Sequence, residues 1–245
     1  ILSSGLGDVY KRQGWKYSLF SSIATAPFAH CVDMIPARDS REFELFSQDI
    51  EAQEFIRGWF DWTDENAEVL RNLRSIIGPP TIGRADGTAA MDGDHGFIFL
   101  FNPNHRKVNA EFTLDASLGL TRGDHFVIRQ LFPEEGTNIG APRTGVFHYG
   151  DRCCFPMDGT AAWVLEVQPA RENGTPLLFN VRGDATLDGP VLRLTNIRAE
   201  VGTTVDVQVM LPRGKRIERL TVNGQDVDFD QRGRVVSANC RFDGE

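Results

Sequence analysis

The sequence has too few basic residues for a typical nucleic-acid-binding protein, and its apolar runs are too short for a membrane-spanning helix. Its 245 residues include 26 Lys and Arg against 34 Asp and Glu, which gives a net charge of −8. A nucleic-acid binder normally carries a basic face instead. No apolar run approaches the roughly 18 residues that a membrane-spanning helix needs. We therefore expect neither nucleic acid nor a membrane as a partner.

The sequence also lacks the patterns of metal and cofactor sites. Glycine-rich nucleotide loops and the signatures of Ser/His/Asp hydrolases are missing. The spacing of the four cysteines fits no set of zinc ligands. We therefore expect no metal and no cofactor, and we interpret the cysteines as buried or half-buried free thiols. Adjacent cysteines on a strand would point to opposite faces. The cysteines are Cys31, Cys153, Cys154 and Cys240.

The first 13 residues differ in origin from the rest of the chain, according to their coding pattern. The segment Asp8-Val-Tyr-Lys-Arg-Gln13 is the translation of a DNA sequence that resembles the transposase mosaic end used in sequencing libraries. Adapter-derived residues are excluded from fold predictions. The alternative is a genuine N-terminal segment. The first interpretation predicts that the natural protein continues upstream, so we make no prediction of localisation.

Residues 14–80 have the helix–strand–helix pattern of the end of a parallel α/β fold. Apolar residues at helical spacing over Tyr17–Pro27 predict a helix that stops at the proline. The apolar segment His30–Pro36 predicts a short buried strand, and Asn66–Ile77 predicts a further helix. One strand cannot form a sheet alone. The pattern therefore predicts the last helices and the last strand of a truncated (β/α)8 barrel.

Asp33 and His30 are the candidate substrate-binding residues. Functional groups of a parallel barrel lie at the C-terminal ends of its strands, and Asp33 comes near the end of the predicted strand. The alternative is that Asp33 caps the next turn or pairs with Arg38. His30 precedes the strand, where a purely structural histidine is the alternative.

Four aromatic residues lie at helical spacing before the end of this region. Such a row could form a platform on which sugars stack. We favour the other interpretation, in which one face of this helix docks on a barrel. The four residues are Phe55, Trp59, Phe60 and Trp62.

Residues 81–170 are predicted to form an antiparallel β-sandwich. The segment His95–Asn104 combines an apolar run with the turn signal Asn102-Pro-Asn104, and predicts the first strand. The preceding Thr81–Asp94 is rich in Gly and Asp and predicts a connecting loop. Hairpin turns are predicted at Tyr149–Arg152 and Met157–Thr160. Further strands are predicted at Val108–Leu114, His125–Phe132, Gly145–Tyr149, Cys153–Met157 and Ala162–Val167.

Residues 171–245 are predicted to form a second, smaller β domain that resembles a sandwich. The sequence leaves two alternatives for its last residues, the natural end of this domain or a truncation within it. Asn223-Gly224 lies between two apolar runs and is the strongest hairpin signal in the chain. The predicted fold class is thus an α+β fragment: the end of a barrel, then two β domains. Its other strands are predicted at Leu177–Val181, Val191–Ile197, Thr203–Leu211 and Ile217–Val222.

The region Trp15–Ala170 resembles the C-terminal end of glycoside hydrolases of the α-galactosidase clan. The resemblance rests on Leu19–Pro27, the short segment with Asp33, and Gly96–Pro103. It implies a (β/α)8 barrel followed by an antiparallel β-sandwich, and retaining hydrolysis of α-linked sugars. Such hydrolysis uses two carboxylates about 5 Å apart. In that clan both carboxylates lie on earlier barrel strands, so the resemblance places the catalytic residues upstream and implies that the isolated chain is inactive.

Three functions therefore compete at this point. The first is the C-terminal fragment of a carbohydrate-active enzyme with a carbohydrate substrate. The second is a non-catalytic β-sandwich scaffold or glycan-binding module, which would expose aromatic residues if it bound sugars. The third is a different barrel enzyme with the same C-terminal region, such as an amylase-type hydrolase.

Overall fold

The computed structural model describes residues 4–28, 49–79, 81–142, 144–170, 174–199 and 201–242, with side chains from residue 14 onwards. Contacts divide the chain into two units. The first comprises Ile1–Thr121 and Arg152–Val164, and the second comprises Arg122–Asp151 and Leu165–Glu245. The domain borders given above for residues 80/81 and 170/171 stay predictions.

The first unit contains the helices of the described chain: α1 (Ser4–Ile23), α2 (Ile50–Glu65) and α3 (Ala67–Leu70). Helix α2 begins at an N-cap aspartate, because the Asp49 side chain accepts a hydrogen bond of 3.0 Å from the Ala52 backbone N–H. The helix predicted over Asn66–Ile77 is wrong beyond Leu70. Arg74 and Ser75, near the end of the predicted helix, form a strand instead, because pairing with a neighbouring strand outweighs helical periodicity.

Strands are the commonest regular element of the described chain, and most strand pairs are antiparallel, whereas β12 and β14 pair in parallel. Their bounds are β1 Arg74–Ser75, β2 Asp86–Asp92, β3 His95–Phe101, β4 Val108–Thr113, β5 His125–Phe132, β6 Thr137–Ile139, β7 Phe147–His148, β8 Arg152–Met157, β9 Ala162–Pro169, β10 Leu177–Phe179, β11 Arg182–Asp188, β12 Val191–Arg198, β13 Thr204–Met210, β14 Arg219–Val222, β15 Gln225–Asp226, β16 Asp230–Arg232 and β17 Val235–Arg241.

In the first unit, β1, β2 and β3 are neighbours in that order. Strands β2 and β3 form an antiparallel hairpin with full register from Asp86 opposite Phe101 to Asp92 opposite His95. The loop predicted over Thr81–Asp94 is therefore wrong over Asp86–Asp92, half of its length. Gly87 is present for close packing: a Cβ there would lie 2.7 Å from the Phe99 carbonyl oxygen.

Strand β8 pairs with β4, and β7 pairs with β5. The two hairpins predicted at Tyr149–Arg152 and Met157–Thr160 are therefore wrong, although both segments do turn. Turn residues determine where the chain changes direction. The strand with which another strand pairs depends instead on packing against segments that are distant in sequence. The predicted position of β5, His125–Phe132, is confirmed.

The second unit contains β9, β5 and β6 as neighbours in that order, and two four-stranded sheets. The sheets run β10-β13-β17-β16 and β11-β12-β14-β15. Buried side chains of both four-stranded sheets share one apolar core, which therefore stabilises them together. Its fully or nearly fully buried members include Leu192, Leu194, Val207, Val209, Leu220 and Val236.

The hairpin predicted at Asn223-Gly224 is confirmed. Strands β14 and β15 pair through Thr221 opposite Asp226 and Val222 opposite Gln225. Asn223 has φ 48° and Gly224 has φ 86°, which are the positive values that a two-residue type I′ turn requires at both central positions.

Gly58 lies inside α2, where its flexibility serves no packing purpose. A Cβ at Gly58 would meet nothing within 4 Å. We therefore expect Gly58→Ala to raise the free energy of unfolding by about 1 kcal/mol, because alanine loses less backbone entropy in a helix. Urea denaturation of both proteins measures this difference. Gly224→Ala is the control with opposite sign, since its positive φ strains alanine.

Candidate functional site

Asp33 and His30 lie outside the described residues, so their role in substrate binding stays a prediction. Cys31 lies outside them too. Cys153 and Cys240 are buried, as predicted, whereas Cys154 is exposed, so the prediction of a buried or half-buried thiol is wrong at that position. Cys153 is buried and Cys154 is exposed, which confirms that they point to opposite faces of β8. Within the described ranges, no cluster of His, Cys, Asp and Glu could hold a metal ion. No described helix has both the length and the apolar character to cross a membrane.

The aromatic face of α2 packs against strand β3 and helix α1. Trp62 lies edge-on to Phe97 with ring centroids 4.7 Å apart, and Trp59 lies edge-on to Phe20 at the same distance. Phe55 contacts Phe20 at 6.1 Å. Such T-shaped pairs add to the stability gained from burial alone. This face is therefore packed against other elements of the first unit, whereas docking on a barrel stays a prediction.

Asn102 is a fully buried polar residue at the end of β3. Its Nδ2 donates hydrogen bonds to the carbonyl oxygens of Arg106 at 2.8 Å, Met157 at 3.2 Å and Asp158 at 2.7 Å. Its Oδ1 accepts from the Asn104 backbone N–H at 2.9 Å. Buried polar groups are tolerated when they are satisfied in this way. Asn102 therefore holds together the loop after β3 and the loop after β8.

Asn104 extends this connection to the loop that precedes β2. Its Oδ1 accepts a hydrogen bond of 2.6 Å from the Gly83 backbone N–H, and its Nδ2 donates one of 2.9 Å to the Arg84 carbonyl oxygen. The two asparagines also hydrogen-bond to each other, from Asn104 Nδ2 to Asn102 Oδ1 at 3.0 Å. We call Asn102 and Asn104 the asparagine bracket. It fixes three loops relative to one another.

An open groove of about 490 Å³ lies between the loop before β2 and the segment that leads into β4. The asparagine bracket holds the backbone on both sides of this groove. Its lining combines charged and apolar side chains, which is the composition of many sites for small polar ligands. The lining residues are Ile77, Gly83, Arg84, Ala85, Arg106, Lys107, Val108, Asn109 and Glu111.

The charges of the groove differ in how they are neutralised. Lys107 Nζ lies 3.0 Å from Asp158 Oδ1, and Glu111 forms an ion pair with Arg152. In the part of the chain that the structure describes, neither Arg84 nor Arg106 has an ion-pair partner for its guanidinium group. The groove therefore carries a local excess of positive charge within a chain of net charge −8.

A second pair of titratable groups, Tyr17 and Asp86, is half-buried where α1 meets the β2–β3 hairpin. The Tyr17 ring packs edge-on against Phe101, with centroids 5.3 Å apart, and Phe101 is the register partner of Asp86. Burial raises the pKa of the Asp86 carboxyl above its ordinary value. Burial, and then the negative charge of Asp86, raise the pKa of Tyr17 to about 12.

The raised pKa of Tyr17 predicts a specific loss of stability at high pH. The unfolded chain ionises this tyrosine near pH 10, whereas the folded chain holds the proton until about pH 12. The folded state therefore binds more protons between these values, and its stability falls as pH rises through that window. Tyr17→Phe should remove this contribution.

The measurement is the phenolate absorbance of wild type minus Tyr17→Phe during an alkaline titration. Asp86→Asn is the matched control, and it should lower the pKa of Tyr17 because it removes the nearby negative charge. A difference titration centred near pH 10 in the folded protein would contradict this account.

Sequence patterns did not indicate the groove, because its residues come from three separate segments. One signal was available: His105-Arg106-Lys107 is a basic run directly after the turn Asn102-Pro-Asn104 in an acidic chain. The turn itself was recognised, but the hydrogen bonds of the asparagine bracket depend on loops up to 56 residues away.

Comparison with known proteins yields structural neighbours but no relative by sequence. A scan against protein-family models finds no match, and neither does a comparison with curated proteins. Among solved structures, the chain is similar to a β-L-arabinopyranosidase of glycoside hydrolase family 27 from Geobacillus stearothermophilus, with 16% identity and a TM-score of 0.31. It is also similar to an α-amylase from Geobacillus thermoleovorans, with 12% identity and a TM-score of 0.34.

Each match covers only part of this chain and only part of the matched enzyme. The first covers 42% of this chain and 20% of the arabinopyranosidase. The second covers 50% of this chain and 24% of the amylase. The chain thus spans less than a quarter of the length of either enzyme.

Proposed function

We propose that this chain is the C-terminal, non-catalytic part of a carbohydrate-active enzyme, a retaining glycoside hydrolase that acts on α-linked sugars. In this proposal, α2 and the part of α1 from Gly14 onwards belong to the end of a (β/α)8 barrel, residues 81–170 form an antiparallel β-sandwich, and residues 171–245 form a second, smaller β domain. The observation that carries the proposal is the aromatic packing of Trp62 on Phe97, which joins a helical layer to the first long strands that follow it.

The charges of the described chain support a non-catalytic role. Retaining hydrolysis requires a nucleophile and a general acid/base about 5 Å apart. Glu111 and Asp158, the carboxylates at and beside the groove, are each engaged in an ion pair. Burial raises the pKa of Asp86, and no neighbouring carboxylate of the described chain contributes to that shift.

The placement of aromatic residues favours a scaffold over a glycan-binding module. A sugar-binding surface normally exposes aromatic faces. All four tryptophans of the chain are instead at least partly buried. Among the described tyrosines and tryptophans, Tyr149 is the exposed one, with 46% of its surface accessible.

The proposal predicts that the purified chain hydrolyses no sugar. We expect aryl α-glycosides of galactose, glucose and N-acetylgalactosamine to release aryl alcohol no faster than in buffer, because the catalytic pair lies on other strands. The product of an unbroken gene that contains this chain should hydrolyse at least one of them. The proposal would be refuted if the isolated chain hydrolysed one of these glycosides and the Asp86→Asn substitution abolished that activity.

A further inference from the structure

We propose that the groove between the loop before β2 and the start of β4 binds an oxyanion, a carboxylate or a phosphate, carried by a small polar molecule such as a sugar acid. This inference does not depend on the proposed hydrolase function. It rests on three observations: guanidinium groups without partners in the described chain, their fixed backbone, and the size of the groove.

The first observation is the positive charge. Arg84 and Arg106 both line the groove, and no side-chain hydrogen bond or ion pair joins their guanidinium groups to another described residue. Lys107 adds a third cation, partly neutralised by Asp158 at 3.0 Å. Guanidinium groups bind carboxylates and phosphates through two parallel hydrogen bonds. Two such groups that line one groove therefore favour a ligand with an oxyanion.

The second observation is the rigid backbone beneath both arginines. Asn102 Nδ2 donates to the Arg106 carbonyl oxygen at 2.8 Å, and Asn104 Nδ2 donates to the Arg84 carbonyl oxygen at 2.9 Å. The asparagine bracket thus fixes the positions from which both side chains extend. A site that is arranged before the ligand arrives loses less entropy on binding.

Gly83 brings the two sides of the groove close together. It has φ +84°, and a Cβ there would lie 3.0 Å from Arg106 Nη2. Arg106 therefore extends across the groove towards Gly83, so its guanidinium group stands next to the segment that carries Arg84. The two cations can in this way reach one ligand.

The third observation concerns the size and charge of the ligand. A volume of about 490 Å³ suits one or two sugar-sized rings. Ile77, Ala85 and Val108 supply apolar surface for a carbon skeleton beside the polar rim. The net charge of −8 repels extended polyanions, so a small anion is favoured over a nucleic acid.

The test is an NMR titration of the full chain with three probes: sodium glucuronate, inorganic phosphate and glucose. We expect glucuronate or phosphate to shift the backbone amides of residues 83–85 and 106–109, with weak affinity that high salt abolishes. Glucose should leave these amides unchanged. The stronger of the two anions identifies whether a carboxylate or a phosphate is the preferred group.

Substitutions distinguish a specific site from general attraction. We expect Arg106→Ala to weaken binding about tenfold, and Arg84→Ala together with Arg106→Ala to abolish it. Arg106→Lys should retain charge but lose the two-pronged contact, and so bind at an intermediate level. Arg57→Ala removes an exposed arginine of α2 and should leave the affinity unchanged.

Two outcomes would overturn the proposal. One is that neither anion shifts the groove amides in folded protein. The other is that the shifts persist in the double variant, or weaken equally in Arg57→Ala. Because all substituted arginines are exposed, thermal unfolding of each variant should match wild type, which separates loss of binding from loss of fold.

Discussion

Asn102→Ala is expected to lower the free energy of unfolding of the first unit by about 3 kcal/mol. The substitution removes one fully buried side chain that donates to three carbonyl oxygens. Buried acceptors that lose their donor each cost about 1 to 3 kcal/mol unless water reaches them. Denaturant unfolding, followed by tryptophan fluorescence, measures the loss.

Two control variants make this test specific. Asn102→Asp keeps the shape but replaces the donating amide, so it should destabilise at least as much at neutral pH. Asn72→Ala removes a single hydrogen bond of 3.1 Å to the Met91 carbonyl oxygen and should cost about 1 kcal/mol. If Asn102→Ala were no more destabilising than Asn72→Ala, the asparagine bracket would not be a structural centre of the unit.

Phe97→Ala is expected to lower the free energy of unfolding by about 3 to 5 kcal/mol. Phe97 is buried in β3, and its ring meets Trp62 of α2 at 4.7 Å. Truncation leaves a cavity and also removes the edge-to-face contact. Circular dichroism during urea unfolding measures the effect.

A double-mutant cycle separates the two contributions. Trp62→Ala combined with Phe97→Ala should lose less than the sum of the single changes, because each single change already removes their contact. Phe28→Ala, at a position that is 56% exposed, should be nearly neutral. Equal losses of unfolding free energy in Phe28→Ala and Phe97→Ala would show that contact with β3 does not stabilise the position of α2.

The strand content was predictable where side-chain alternation is strong. Strand β4, predicted over Val108–Leu114, spans Val108–Thr113 with alternating burial, and the Asn223-Gly224 turn forms the predicted hairpin. Both features are local: alternation marks one buried face, and a positive φ at two adjacent residues requires Asn and Gly. Local sequence therefore determined these elements.

Strand β2 was missed for a physical reason that concerns glycine. The pairs Asp86-Gly87 and Asp92-Gly93 suggested turns on both sides of it. Gly87 is instead extended and buried, in a position where a Cβ would meet the Phe99 carbonyl oxygen at 2.7 Å. The same residue type serves a turn or a close approach, and only the neighbouring strand decides between them.

Strand partners and the candidate site depend on contacts between distant segments. Strand β8 pairs with β4 across about 40 residues of chain, as Glu111 opposite Cys154 illustrates. The groove likewise joins Arg84 and Arg106 through Asn102 and Asn104. Neither the pairing of β8 with β4 nor the groove produces a periodic pattern in the sequence. Both could therefore be found only from the structure.

The most direct test of the proposed function is to locate the catalytic nucleophile in the product of a longer gene that includes this chain. An activated fluoro-sugar traps the glycosyl-enzyme intermediate of a retaining hydrolase, and peptide mass spectrometry then identifies the labelled carboxylate. The account predicts a label on an aspartate or glutamate outside these 245 residues. A label on a carboxylate within them, Asp86 for example, would contradict it.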